Sequence, residues 1–216
     1  FIPQPAIGNP DKKSKVLIFD SGTLINLSMN GLLYLLPELK KETGVEFVIT
    51  KQVKYETVDR PLNVPRFELG ALEIKDLIEQ KILEMPQDFG VSENEINPKI
   101  QEFMNIANHS VIAQGKWINI VSEAEMSCLA LSSILTERRN ENIISIDERT
   151  TRILAEKPEN LQKLMSKKFH FNVELKIQDF EKFSKFRFIR STELVYVAYK
   201  KGLLHIKDPQ ALEAAL

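Results

Sequence analysis

Residues 16–19, Val16-Leu17-Ile18-Phe19, form a short continuous apolar run with β-branched members, the composition of a strand buried on both faces. Asp20 stands where that strand ends, Ser21, Gly22 and Thr23 make a turn, and a helical apolar pattern begins at Leu24. That pattern extends over 24–41, with Pro37 marking a break or the start of a second piece. EFVIT at 46–50 is the next strand, after a turn at Gly44, and 51–60 reads as a short helix ended by Pro61 and Pro65. A helix over 67–80 and a short edge strand over 82–85 follow. Residues 87–117 are polar, amide-rich and hard to order, although 99–107 has helical spacing. The apolar stretch 118–121 leads into a helix from Ser122 to about Arg139, opened by a capping box of Ser122 with Glu125. NIISI at 142–146 is a strand, Asp147 follows it, and 148–155 is helical. A last core strand over 186–189, a helix over 192–201 ended by Gly202 and a short helix over 209–216 complete the pattern. Short strands alternating with helices predict an α/β fold with parallel pairing.

Composition narrows the class without changing that picture. The 216 residues are 43% hydrophobic and 27% charged, enough apolar surface for a real core. The formal net charge of -1 excludes a strongly basic body, but the charge is uneven. Between 157 and 190 nine basic side chains face four acidic ones, and six phenylalanines are interleaved with them. Alternating Phe and charge is the pattern of a half-buried strand, so a mainly structural reading is favoured over base stacking or partner docking. The single Cys128 cannot form an internal disulfide, which makes a reducing, cytoplasmic setting the expectation. No apolar run approaches membrane-spanning length, so no membrane is expected, and no basic-then-apolar signal segment opens the chain. The first residue is Phe rather than Met, as expected where a natural start has been removed; residues 1–14, with three prolines and DKKSK, read as a flexible lead-in.

Chemistry enters with the carboxylates. Asp20 follows the first strand, Glu56 lies on the short helix after EFVIT, Glu123 opens a helix, and Asp147 follows NIISI. In an open α/β sheet, ligands bind beyond the carboxyl ends of the strands, where such acids are positioned for chemistry. The plain alternative for Asp20 is a helix N-cap. Carboxylates gathered from distant segments repel one another unless protons or cations neutralise them. Oxygen ligands without nearby His or Cys suit magnesium or manganese, which can clamp a phosphodiester and activate a water. The three histidines share no metal-ligand spacing, and Trp117 is expected in the core or a pocket wall.

The order and surroundings of these acids resemble the PIN-domain family of metal-dependent ribonucleases. The patterns are Asp20-Ser21-Gly22-Thr23-Leu24-Ile25, Glu56 in VKYETVDRP, Glu123 in SEAEMSCLALSS and Asp147 in IISIDERTTRILA, and FIRSTELVYVAYKKGLL is similar to the family's last strand and helix. The resemblance implies a three-layer α/β/α sandwich over 15–216, with elaborations near 87–117 and 157–185. It implies RNA as substrate and Mg or Mn held by Asp20, Glu56, Glu123 and Asp147. Ser21 and Glu125 would be auxiliary, Ser21 to a metal water or a phosphate and Glu125 in the outer shell beside its capping role. Lys51, Lys54 and Arg60 around Glu56, and Arg149 and Arg152 after Asp147, would hold an RNA backbone; as a plain alternative they are solvated helix faces. The family adds three expected partners: an antitoxin if the chain is the toxin half of a pair, a ribosome-assembly partner if it is a processing or binding factor, and a second copy in a homodimer.

Two other readings share the opening stretch. FDSGTL is close to the aspartyl-phosphate motif of haloacid-dehalogenase-like phosphatases, but the general acid expected two residues after the nucleophile is Gly22 here. The FDSG string is similar to glutamate racemases, which need two cysteines where this chain has one. A PIN-like fold retained for RNA binding, with weakened catalysis, is the remaining alternative.

Overall fold

The computed structural model describes residues 14–176 and 180–204. The expected lead-in up to residue 13 and the helix over 209–216 lie outside the described residues.

In chain order the elements are β1 (Lys15–Phe19), α1 (Ser21–Met29), α2 (Leu35–Thr43), β2 (Glu46–Val48), α3 (Lys51–Lys54), α4 (Glu68–Glu79), β3 (Leu83–Glu84), α5 (Glu93–Asn108), β4 (Val111–Ala113), β5 (Lys116–Trp117), α6 (Glu123–Glu137), β6 (Glu141–Ser145), α7 (Arg149–Glu156), α8 (Leu161–Phe169), β7 (Glu174–Leu175), β8 (Phe188–Ile189) and α9 (Ser191–Lys200). Among the described residues five strands make one parallel sheet in the order β3-β2-β1-β6-β8, flanked by helices in an α/β/α arrangement. Val16 through Phe19 are all buried, as a central parallel strand requires. The chain first builds outward from β1 through β2 to β3, then crosses to the other side of β1 to lay down β6 and β8. The reversal point of the sheet therefore falls between the adjacent strands β1 and β6, where Phe19 is in register with Ser145.

The helical stretch predicted over 24–41 is two helices, with Pro37 in the first turn of α2, where a missing N–H costs nothing. The polar segment 87–117 is more ordered than its composition suggests. Ser92 and Glu95 form a reciprocal capping box, and Ile96, Ile100, Phe103 and Ala107 bury one face of α5 against α6, which offsets the backbone bond lost at Pro98. The same segment supplies β4 and β5, which pair antiparallel with each other and, through β4, with β7 in a small second sheet.

α6 is buried along almost its whole length, and it lies against α5, α3, β1 and β6. Ala124, Ser127 and Ala130 allow that close packing, and the buried Ser127 hydroxyl meets Thr50 at 2.6 Å. Phe180, Phe183 and Phe186 are core residues, and Phe183 and Phe186 pack on Phe103 with ring centroids 5.4 and 5.7 Å apart. The structural reading of that tract holds for these three, although a 3-10 turn and not a strand carries Phe180. Trp117 departs from expectation: it is 45% exposed on β5, bracketed by His109 and by Lys176 above its ring. As the last residue of a two-residue edge strand it finds no covering layer among the described residues. Across the sheet, Lys40 of α2 reaches Glu46 at 3.1 Å and Glu84 at 3.3 Å, tying α2 to β2 and β3.

Candidate active site

Asp20 joins β1 to α1. Its N–H donates to the Ser145 carbonyl at 2.9 Å, extending the ladder with β6, and its Oδ2 accepts from the Gly22 N–H at 3.1 Å, capping α1. The cap reading is thus observed, but it uses one oxygen only. The other, Oδ1, is buried without a hydrogen-bond partner among the described residues, in a residue that is 3% exposed. Burial pushes the Asp20 carboxyl up to about 7, the nearby Glu125 carboxylate and more weakly Glu56 push the same way, and the Gly22 and Ser21 N–H groups hold it partly back. An unpaired buried carboxylate oxygen is costly, and a proton or a cation removes the cost.

Glu125 reaches this point from the first turn of α6. Thr151 and Ser122 hydroxyls both donate to its carboxylate, while Ser122 also accepts the Glu125 N–H. Burial raises its carboxyl above the ordinary range against those hydrogen bonds, with Glu148 adding repulsion. Glu56 arrives from a π-helical turn, Tyr55–Asp59, that continues α3 and closes with Arg60 N–H on the Tyr55 carbonyl at 2.9 Å. Such turns recur at functional sites because they re-aim one side chain. Here the Ser21 hydroxyl donates to Glu56 Oε2 at 2.6 Å. The expectation for Ser21 was contact with a metal water or a phosphate; its observed partner is the carboxylate itself.

Asp147 lies beyond β6, held by Asn26 Nδ2 at 2.7 Å and by the Ser191 N–H at 2.9 Å. It shares the carboxyl end of the sheet with Asp20. Glu123 faces elsewhere: Gln52 donates to its Oε1 at 3.3 Å, and it lines a polar cleft of about 650 Å³ together with Glu56 and Lys51. Two residues are about 200° around a helix, so Glu123 and Glu125 cannot face the same way. Of the two, Glu125 is the one whose charge bears on Asp20, which reverses the weighting that the sequence suggested for this pair.

The structure therefore places Glu125 and Glu56 within electrostatic reach of Asp20, sets Asp147 at the adjoining strand end, and leaves Glu123 on the rim. Among the described residues no group of three or more His, Cys, Asp and Glu side chains stands ready to hold a metal ion, so the expected four-carboxylate cage is not preformed. The donor chemistry still suits a hard cation: oxygen only, a surplus of negative charge, and one buried oxygen with nothing to bind. Gly22 stands where a phosphatase would carry its general acid, and its N–H is spent on Asp20.

The basic residues scatter. Lys54 pairs with Asp59 at 3.8 Å, Lys51 lines the polar cleft, and Arg60 lines a mostly apolar cleft of about 670 Å³ between α1 and α4 that also reaches Glu56. Arg149 and Arg152 border a separate groove with α8. Asn26, Thr151 and Ser191 were not anticipated; an Asn inside the apolar stretch TLINL was the one available hint. Among the described residues no helix is long and apolar enough to cross a membrane. Compared with known proteins, the chain matches no family model, no curated protein and no solved structure.

Proposed function

We propose that the protein hydrolyses RNA phosphodiester bonds with Mg or Mn at the crevice between β1 and β6, a PIN-like ribonuclease serving as a toxin or a processing factor. The observation that carries this reading is the unpartnered, buried Asp20 Oδ1 at the sheet's reversal point, with Glu125 and Glu56 in electrostatic reach. Ligands of open α/β sheets gather at that point.

When bound, the ion supplies charge neutralisation at the scissile phosphate and activation of a water. Asp20, Glu125 and Glu56 are the residues that would hold it, with Asp147 completing the set from β6. The rest of the chain's work is positioning. Ser21 fixes Glu56, Thr151 and Ser122 fix Glu125, and Asn26 with the Ser191 N–H fixes Asp147. The burial of Asp20 limits water, which strengthens each charge interaction in the crevice.

The test is cleavage of single-stranded RNA in manganese, alongside manganese binding followed by electron paramagnetic resonance. Asp20→Asn is expected to lower turnover by at least about 10²–10³-fold, the scale of losing one preorganised electrostatic group, and to weaken manganese binding. Parent-level cleavage by the variant overturns the proposal. RNA retained in EDTA with no cleavage in manganese replaces it with a binding module.

A further inference from the structure

The groove between α7 and α8 lies outside the acid site, and its charge is opposite. It encloses about 480 Å³ and is bordered by Arg149, Arg152, Lys157, Lys163 and Lys167, with Glu156 the one acid on its wall among the described residues. All of these cations except Arg152 are exposed, and none of the five forms an ion pair among the described residues. Lys168, on the same helix, is the one that turns away, to Glu148 at 4.0 Å.

Arg152 is the link to the crevice. It is half-buried, its Nε is buried without a hydrogen-bond partner among the described residues, and it also borders the small cleft that holds Arg190 and Glu193. Arg190 precedes Ser191, whose N–H holds Asp147. Arg149 starts α7 two residues after Asp147. In the chain the basic surface thus begins two residues after Asp147, and through Arg152 it borders the cleft that holds Arg190, the neighbour of Ser191. Five like charges held around one groove repel each other, and a chain whose net charge is -1 gains nothing in solubility by concentrating them. A polyanion laid along the groove removes that repulsion.

We infer that the α7–α8 groove binds the sugar-phosphate backbone of single-stranded RNA, leading the strand toward Asp147. The ligand class rests on the ribonuclease reading above; the binding surface does not. Arg149 and Arg152 stand three apart on α7 and Lys163 and Lys167 four apart on α8, so each pair shares a helix face, and single-stranded nucleic acid is held in grooves of this sign. Arg side chains near the crevice and Lys farther out match forked donors where the strand must be fixed and point charges where it need only be held.

The experiment measures binding of an oligouridylate of about 20 nucleotides by fluorescence anisotropy, in EDTA and on the Asp20→Asn background, so that no cleavage intervenes. Lys163→Glu/Lys167→Glu is compared with Lys41→Glu/Lys75→Glu, which changes the net charge equally on α2 and α4, and thermal melting confirms that each variant folds. The groove variant is expected to bind at least about tenfold more weakly, with a log–log salt slope shallower by about 1.4, the value for two lost phosphate contacts on a single strand. Lys163→Arg/Lys167→Arg is expected to restore binding. Equal affinity and slope for groove and control variants overturn the assignment, whatever the cleavage assay gives. So does a groove variant that keeps RNA but loses phosphatidylserine vesicles, since the surface is then one for membranes. Absent cleavage by the parent, with the groove effect intact, overturns the hydrolytic reading alone.

Discussion

The Asp20 N–H donates to the Ser145 carbonyl at 2.9 Å, one residue past the end of β1. That bond locks the two strand ends side by side, so that Asp20 and Asp147 open onto the same mouth of the sheet while their side chains are fixed by different elements. Asp20 is set by its own helix cap, and Asp147 by α1 and α9.

The Asp20 carboxyl makes stability depend on pH. Its carboxyl moves from 3.8 to about 7 on folding, so the folded state holds the proton more tightly than the unfolded one. The stabilisation is fully present below about pH 4 and is lost as pH rises through 7, a swing on the order of 4 kcal/mol. Asp20→Asn keeps a capping side chain and removes the charge. In chelated buffer it is expected to be more stable than the parent by about 2–4 kcal/mol at pH 8, with the gap closing toward pH 4. Urea melts at the two pH values check this; a variant less stable at pH 8 contradicts it.

Glu125 and Glu123 separate the facing and rim positions of α6. Glu125→Gln is expected to cost about 10²-fold in RNA cleavage, in the range of a lost electrostatic group, and Glu123→Gln less than about tenfold. Manganese affinity should fall in the same order. The reverse order would return Glu123 to the centre of the site.

Ser21 acts through Glu56, at 2.6 Å, and is a positioning residue. Ser21→Ala is expected to reduce metal affinity about 10–100-fold, the usual effect of removing a ligand's supporting hydrogen bond. Ser21→Thr, which keeps the hydroxyl, should recover much of it. A loss in turnover with metal affinity unchanged in the alanine variant would assign Ser21 a different role.

Lys40 holds Glu46 and Glu84 together at the sheet edge, and its side chain is itself mostly buried. Lys40→Met leaves two carboxylates facing each other, one of which burial already pushes upward. A loss of about 1–3 kcal/mol is expected, discounted for partial exposure and smaller below the carboxylate range. Phe183→Ala, in the aromatic core, should cost about 3–5 kcal/mol at any pH. Denaturant midpoints distinguish the two.

Elements built on uninterrupted apolar runs are readable in the sequence: β1, β6 and α7 follow patterns that local sequence decides, whereas α1 starts at Ser21, inside the expected turn, because Asp20 caps it. α5 was only half visible, since Pro98 and the amides mask the Ile96, Ile100, Phe103, Ala107 stripe that α6 completes. The π-helical turn at Glu56 leaves no period in the sequence, because it is produced by packing against α1 and α4. The acids at strand ends could be found from the strands. Which acid of Ser122-Glu-Ala-Glu turns inward could not, because that depends on Thr151, which comes from an element beyond β6. Trp117 was misjudged because hydrophobicity alone does not say whether a second layer exists to cover a strand.

Because β1 sits in the middle of the sheet, one of its flanks is satisfied early, by β2, whereas the other waits for residues 141–145. During synthesis β1 must therefore stand half-paired until residues 141–145 have emerged, and fragments ending before β6 present an open, apolar ribbon to any passing strand.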